Sequence, residues 1–220
     1  MQDYAKALAK IALEIKAIKL DPNTPFTWAS GYRMPIYNDN RLLLGQFAHR
    51  SLIAEGFQNI IEQRRIEVEV IAGTSTAGIS PGTSLADRLR LPFIYVRDKA
   101  KGHGMQNRIE GILLPGQRTL MVEDLVSTGG SSIEAIKAVR EAEGALDNCL
   151  SIFSYGLEEA TKQFESISCR LFPLLTFDVL LSTAVETSYI NPTEKKLLDS
   201  WREDPFGWGE RHGFPKVVKS

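Results

Sequence analysis

Cysteine occurs only twice in the 220 residues, as Cys149 and Cys169, and neither has a second cysteine or a histidine at zinc-ligand spacing. A disulfide framework and a structural metal are therefore not expected, and both thiols read as buried and reduced. An excess of one charge sign is missing as well, since 26 Lys and Arg stand against 27 Asp and Glu for a net charge of -1. Nucleic-acid binders carry a basic excess, so no nucleic-acid partner is expected and any polyanion site must be local. No apolar run approaches the roughly 20 residues that span a bilayer, and residues 1–10 carry charges where a signal peptide would be apolar. The expectation is a cytoplasmic protein with no membrane partner. Internal repeats, low-complexity tracts and Pro/Ser-rich linkers are absent too, so the chain reads as a single domain over 1–220. Its core is expected over about 45–175, between an N-terminal segment of about 1–44 and a C-terminal helical extension of about 176–220.

What is present is an alternation of two hydrophobic periods. Glu67 to Gly73, Pro92 to Arg97 and Arg118 to Val122 read as strands, and Cys149 to Ser154 and Cys169 to Pro173 as two further apolar runs. Helical patterns fall between them at Ile79 to Arg90, Ser132 to Glu143 and Leu157 to Glu165. Continuous apolar strands separated by helices predict an α/β fold with an open, mainly parallel sheet and helices on both faces. Asp3 to Ile18 is an amphipathic helix followed by an extended aromatic stretch, FTWASGYRMPIY. That segment is expected to form a small hood, with the C-terminal helical patterns near 179–189 and 193–202 as a second contributor.

In such sheets ligands sit beyond the carboxyl ends of the strands, which singles out three segments. The first is TLMVEDLVSTGGSS, Thr119 to Ser132: an apolar strand ends in Glu123 and Asp124, and a small-residue loop, Ser127 to Ser131, opens a helix. Glycines admit a close ligand, and the helix N-terminus and hydroxyls offer donors, which suits a phosphate monoester. Two acids beside a phosphate would repel an anion, but they can accept hydrogen bonds from sugar hydroxyls or face a developing cation. Together these features read as a sugar-phosphate site; the structural alternative is a capping box of Ser131 with Glu134. The second segment is GTSTAGIS, Gly73 to Ser80, which matches a Walker A loop except that Ile79 replaces its lysine. It is either a phosphate-binding turn or a plain strand-to-helix turn. The third, Arg97 to Glu110, gathers Arg97, Lys99, Lys101, His103 and Arg108 around Gly102 and Gly104. By composition it is a solvated loop, and by position it could close over the phosphate loops. There is no G-x-S-x-G elbow, and His49 and His212 read as surface residues.

MVEDLVSTGGSS resembles the phosphoribosyl-pyrophosphate (PRPP) motif of type I phosphoribosyltransferases. YVR with D-K-A-K-G-H-G and N-R-I-E-G is similar to the catalytic loop of orotate phosphoribosyltransferases, and FTWASGYRMPIYNDNR to their N-terminal substrate segment. The resemblance spans roughly residues 20–160. It implies transfer of phosphoribose from PRPP to orotate, giving orotidine 5'-monophosphate and pyrophosphate in pyrimidine synthesis, with Mg2+ carried mainly by the pyrophosphate. Carried over by position, it implies that Thr128, Gly129, Gly130 and Ser131 hold the 5'-phosphate and Glu123 and Asp124 the ribose hydroxyls, with Leu125 and Val126 in the same PRPP-binding run. Ser127 adjoins both PRPP and orotate, and Arg97, Lys101 and His103 contact pyrophosphate. Lys101, His103 and Asp124 are the implied catalytic residues, with the loop reaching the site of the other subunit of a homodimer. Three positions depart from some relatives: Asp98 and Ala29 stand where lysines occur, and no arginine lies near Gly156 and Leu157. A purine phosphoribosyltransferase and a PRPP-sensing regulator of the same fold are the alternatives; the loop cations and the net charge speak against the regulator.

Overall fold

In a computed structural model, which describes residues 2–98 and 108–217, the centre of the chain is a six-stranded sheet. Its strands are β5 (Val70–Thr74), β6 (Phe93–Val96), β7 (Ile109–Glu110), β8 (Arg118–Val126), β9 (Ala145–Ser154) and β10 (Arg170–Thr176), in the order β10-β9-β8-β5-β6-β7. All neighbouring pairs are parallel except β6 with β7, where the returning chain adds a short antiparallel edge. The mainly parallel sheet expected from the sequence is thus present. Pro173, which cannot donate to a ladder, lies in β10, paired on one side only.

The strands are apolar throughout because both faces are covered, and their period of two sends alternate residues to two cores. Ile71, Leu120, Val122, Leu150 and Ile152 pack in one, beside α1 (Gln2–Glu14), α2 (Phe47–Arg64) and α3 (Ile79–Leu89). Val70, Ala72, Met121 and Cys149 pack in the other, against Ile133, Ile136 and Val139 of α4 (Gly130–Glu141) and Ala160 and Phe164 of α5 (Glu158–Ser166). Both cysteines are buried and free, and burial pushes both thiols up, so they are packing residues.

The two ends of the chain meet beside this sheet. The N-terminal segment folds back as β1 (Ile18–Leu20), β2 (Phe26–Thr27), β3 (Arg33–Met34) and β4 (Ile36–Asn38), with β1 antiparallel to β4 and β2 to β3. A short 3-10 helix, Asn40–Gly45, leads into α2. From the C-terminus come α6 (Phe177–Glu186), α7 (Pro192–Glu203) and the short α8 (Trp208–Arg211). Trp201 of α7 is fully buried against Trp28, Tyr155 and Phe177, with ring centroids 6.4, 5.3 and 5.5 Å away, and its Nε1 approaches the Met34 sulfur at 3.1 Å. Val217 donates its N–H to Gly31 at 2.9 Å. Both termini therefore build the hood.

Four details differ from the sequence expectations. Helix α2 has no counterpart there. Strand β8 continues to Val126, so Glu123 and Asp124 lie within the strand rather than at its end. Helix α4 starts at Gly130, after a left-handed Gly129 at φ +94°, and no side chain caps it. The Ser131–Glu134 capping box is not formed, because Glu134 turns along the helix to Lys137 at 2.9 Å.

Candidate active site

The chain order reverses between β5 and β8, since β6 follows β5 on one side while β8, β9 and β10 continue on the other. A crevice opens at the carboxyl ends of such a pair. From β5, Thr74 crosses it and donates its hydroxyl to Glu123 Oε1 at 2.7 Å. The same oxygen accepts the Asp124 N–H at 3.0 Å, and Oε2 accepts the Ser132 hydroxyl at 3.0 Å. Glu123 is 6% exposed, and burial, with the Asp124 charge adding to it, pushes its carboxyl up to about 7 against the pull of the Thr74 hydroxyl. Asp124 is more open. Burial raises it too, while its hydrogen bonds and the Arg41 guanidinium hold it back. The two adjacent acids thus have separate surroundings.

Beyond them, Ser127 and Thr128 are half-buried, Gly130 and Ser131 are exposed, and a Cβ added at Gly130 would meet no protein atom within 4 Å. The start of α4 therefore presents open main chain to an anion. The turn after β5 runs beside it, with a cis peptide joining Ser75 to Thr76. Gly78 is pressed between the strands: a Cβ there would run into the Thr74 hydroxyl and the Val122 carbonyl. Leu125 and Ser127 line a cavity of about 500 Å³ whose other wall is Thr27, Trp28, Ala29, Ser30, Tyr37, Asn38 and Tyr155. Trp28 is held there by Nε1 donating to the Ile36 carbonyl at 2.9 Å and by Tyr155, 5.9 Å away. The hood segment and the β8 loop, nearly a hundred residues apart in sequence, thus share one pocket.

Of the expected loop cations, Lys99, Lys101 and His103 lie outside the described residues. Arg97 is half-buried, 3.4 Å from Glu110, and donates its main-chain N–H to the Arg108 carbonyl at 2.8 Å. Arg108 reaches two carbonyls, those of Arg97 at 2.9 Å and Glu134 at 3.2 Å, so it fastens the loop's return to α4. His212 is exposed beside the Trp208 ring, 4.5 Å away, and His49 is half-buried on α2. Sequence reading missed Thr74 as the partner of Glu123, and it missed Asn40, which is buried and bonded to the Asp124 carbonyl at 2.7 Å. Only their placement in GTSTAGIS and YNDNR marked them.

Residues 46–154 match the phosphoribosyl transferase domain. An orotate phosphoribosyltransferase of Lactiplantibacillus plantarum is 46% identical over 209 residues, covering 95% of this chain and 99% of that protein. Among solved structures, the orotate phosphoribosyltransferase of Aeropyrum pernix superimposes with a TM-score of 0.72 at 27% identity, over 84% of this chain and 99% of that one. The Leishmania donovani UMP synthase shares the fold, with a TM-score of 0.76 at 23% identity, over 90% of this chain and 42% of that one. Fold, crevice and loop together define a phosphoribosyltransferase of type I. Within that class, the chain belongs to the orotate phosphoribosyltransferase family.

Proposed function

We propose that this chain transfers phosphoribose from PRPP to N1 of orotate, breaking the bond from C1 to pyrophosphate and forming the bond from C1 to N1, which gives up its proton. The products are orotidine 5'-monophosphate and pyrophosphate, made in the cytoplasm for pyrimidine synthesis. The observation that carries this reading is the shared cavity, in which the hood wall of Trp28, Tyr37 and Asn38 faces Leu125 of β8 and Ser127 of the loop that follows it. A flat base between those walls would place its nitrogen toward a sugar at Asp124. Relatives of nearly the same length are orotate enzymes, which favours orotate over a purine base or a sensing role.

As pyrophosphate leaves, positive charge builds on the ribose ring and negative charge on the leaving group. In this reading Asp124 is the carboxylate that faces the ring. Glu123 accepts three hydrogen bonds from the protein, which leaves roughly one of a carboxylate's four acceptor sites for a ribose hydroxyl. Thr128 to Ser131 take the 5'-phosphate at the start of α4. Arg97, Lys101 and His103 serve the pyrophosphate, with the loop supplied across a homodimer. Among the described residues no three His, Cys, Asp or Glu side chains gather to hold a metal ion. Mg2+ would be carried mainly by the pyrophosphate of PRPP, where it would neutralise the leaving group. Incubation of the purified chain with PRPP and orotate, with and without Mg2+, tests this: orotate is consumed only when Mg2+ is present, and consumption unaffected by chelation contradicts it.

A further inference from the structure

Asn40 is 2% exposed although it opens a turn whose next residues, Arg41 and Leu42, are exposed. Both ends of its side-chain amide are hydrogen-bonded. Nδ2 donates to the main-chain carbonyl of Asp124 at 2.7 Å, and Oδ1 accepts from Asn38 Nδ2 at 3.1 Å, while the Asn40 N–H donates to Asn38 Oδ1 at 3.2 Å. The place of this bond follows from the sheet. The pairing of β5 with β8 ends at Gly73 opposite Val122, so Asp124 lies past the last β5 partner, and the Asn40 amide supplies a donor where a strand no longer does.

The turn itself is anchored. The Asp39 N–H donates to the Ala17 carbonyl at 2.7 Å, and the Asp39 carboxylate accepts from Arg41 Nε at 2.7 Å and from an Arg41 terminal nitrogen at 3.0 Å. Asn38, at the other end of the chain of bonds, is a wall of the base cavity. One continuous set of hydrogen bonds therefore runs from the cavity wall, through a buried amide, to the peptide that carries the catalytic carboxylate.

We propose that Asn40 is a positioning residue for phosphoribosyl transfer, fixing the Asp124 peptide so that its carboxylate faces the ribose when the base cavity is filled. This rests on the functional reading above. Catalysis is sensitive to small displacements of an aligned group, so loss of the amide should lower kcat more than it weakens binding.

The experiment compares wild type, Asn40→Ala and Asn40→Asp by steady-state kinetics over about pH 5.5 to 8.5, with circular dichroism confirming the fold. Asn40→Ala is expected to lose about 10- to 100-fold in kcat, with both KM values changed by less than about threefold. Asn40→Asp keeps the shape but, once ionised, has no donor. Its kcat relative to wild type should rise toward low pH, where the new carboxyl is protonated and can again donate to the Asp124 carbonyl. Asp39, Arg41, Glu123 and Asp124, the charged groups around it, are common to all three proteins, so the ratio isolates the new group. The Asn40→Ala ratio should stay level. Wild-type kcat in folded variants, or a level ratio in Asn40→Asp, overturns the role of Asn40 while leaving the reaction in place. A wild type that leaves orotate untouched overturns the functional reading, and the role of Asn40 falls with it.

Discussion

Thr74 donates its hydroxyl to Glu123 Oε1 at 2.7 Å, joining the two central strands at the point where the chain order reverses. The bond serves a carboxyl that is almost wholly enclosed, so deleting it leaves a buried acceptor short of a donor. Thr74→Val, nearly the same shape without the hydroxyl, is expected to destabilise the fold by about 1–3 kcal/mol, and Thr74→Ser by much less. Urea unfolding of the three proteins checks this; equal midpoints for Val and wild type would show that the bond contributes nothing.

Burial raises the folded pKa of Glu123 from the ordinary 4.5 to about 7. The folded state then holds the proton more tightly than the unfolded chain. Stability from this group is complete below the unfolded value and is lost as pH rises through about 7. The wild-type urea midpoint should therefore fall between about pH 5 and about pH 8, and fall less in Glu123→Gln, whose amide cannot ionise. Glu123→Gln also removes a charge from beside Asp124, so the difference between the two curves reports the interacting pair of acids. Parallel curves would remove the linkage.

Gly129 and Gly130 should respond oppositely to the same added methyl. Gly129 sits at φ +94°, where a side chain is strained by about 1–2 kcal/mol, so Gly129→Ala lowers stability. Gly130 begins α4 in open space, and Gly130→Ala should fold as well as wild type. Its Cβ would occupy the approach to the proposed phosphate, so KM for PRPP should rise at least about tenfold. Unchanged PRPP kinetics in Gly130→Ala would move the phosphate elsewhere.

Mixing two inactive variants tests whether the site is shared between subunits. Asp124→Asn should fold normally and lose about 10²-fold or more in kcat, and Lys101→Ala should also be nearly inactive. If the loop serves the neighbouring subunit, a mixed dimer has one doubly damaged site and one intact site. Random exchange makes about half of all dimers mixed, so about a quarter of wild-type activity should return after mixing and refolding. Confirmed subunit exchange without recovery would place Lys101 in its own subunit's site.

How much of this was legible in the sequence depended on the reach of each signal. The sheet and its α4 and α5 cover followed from local period, because strands covered on both faces are apolar throughout. The loop from Ser127 to Ser131 was legible because one short segment holds the whole construction. Helix α2 carries a readable spacing in Ile53, Phe57, Ile60 and Ile61, but its start is blurred by an exposed Phe47 and a Gln46 whose side chain makes no cap. Glu134 looked like half of a capping box because its spacing from Ser131 fits, yet Gly129 turns the chain so that the helix begins earlier. Thr74 and Asn40 were beyond reach for a different reason: their partners lie 49 and 84 residues away, and only the assembled sheet brings them together.

The identity of the acceptor base can be read from one competition assay. The purified chain is mixed with PRPP, Mg2+ and equal amounts of orotate, hypoxanthine and adenine, and each base and the released pyrophosphate are followed together. Orotate alone should disappear, with one pyrophosphate and one orotidine 5'-monophosphate formed for each orotate consumed. Consumption of hypoxanthine or adenine with orotate untouched would contradict it.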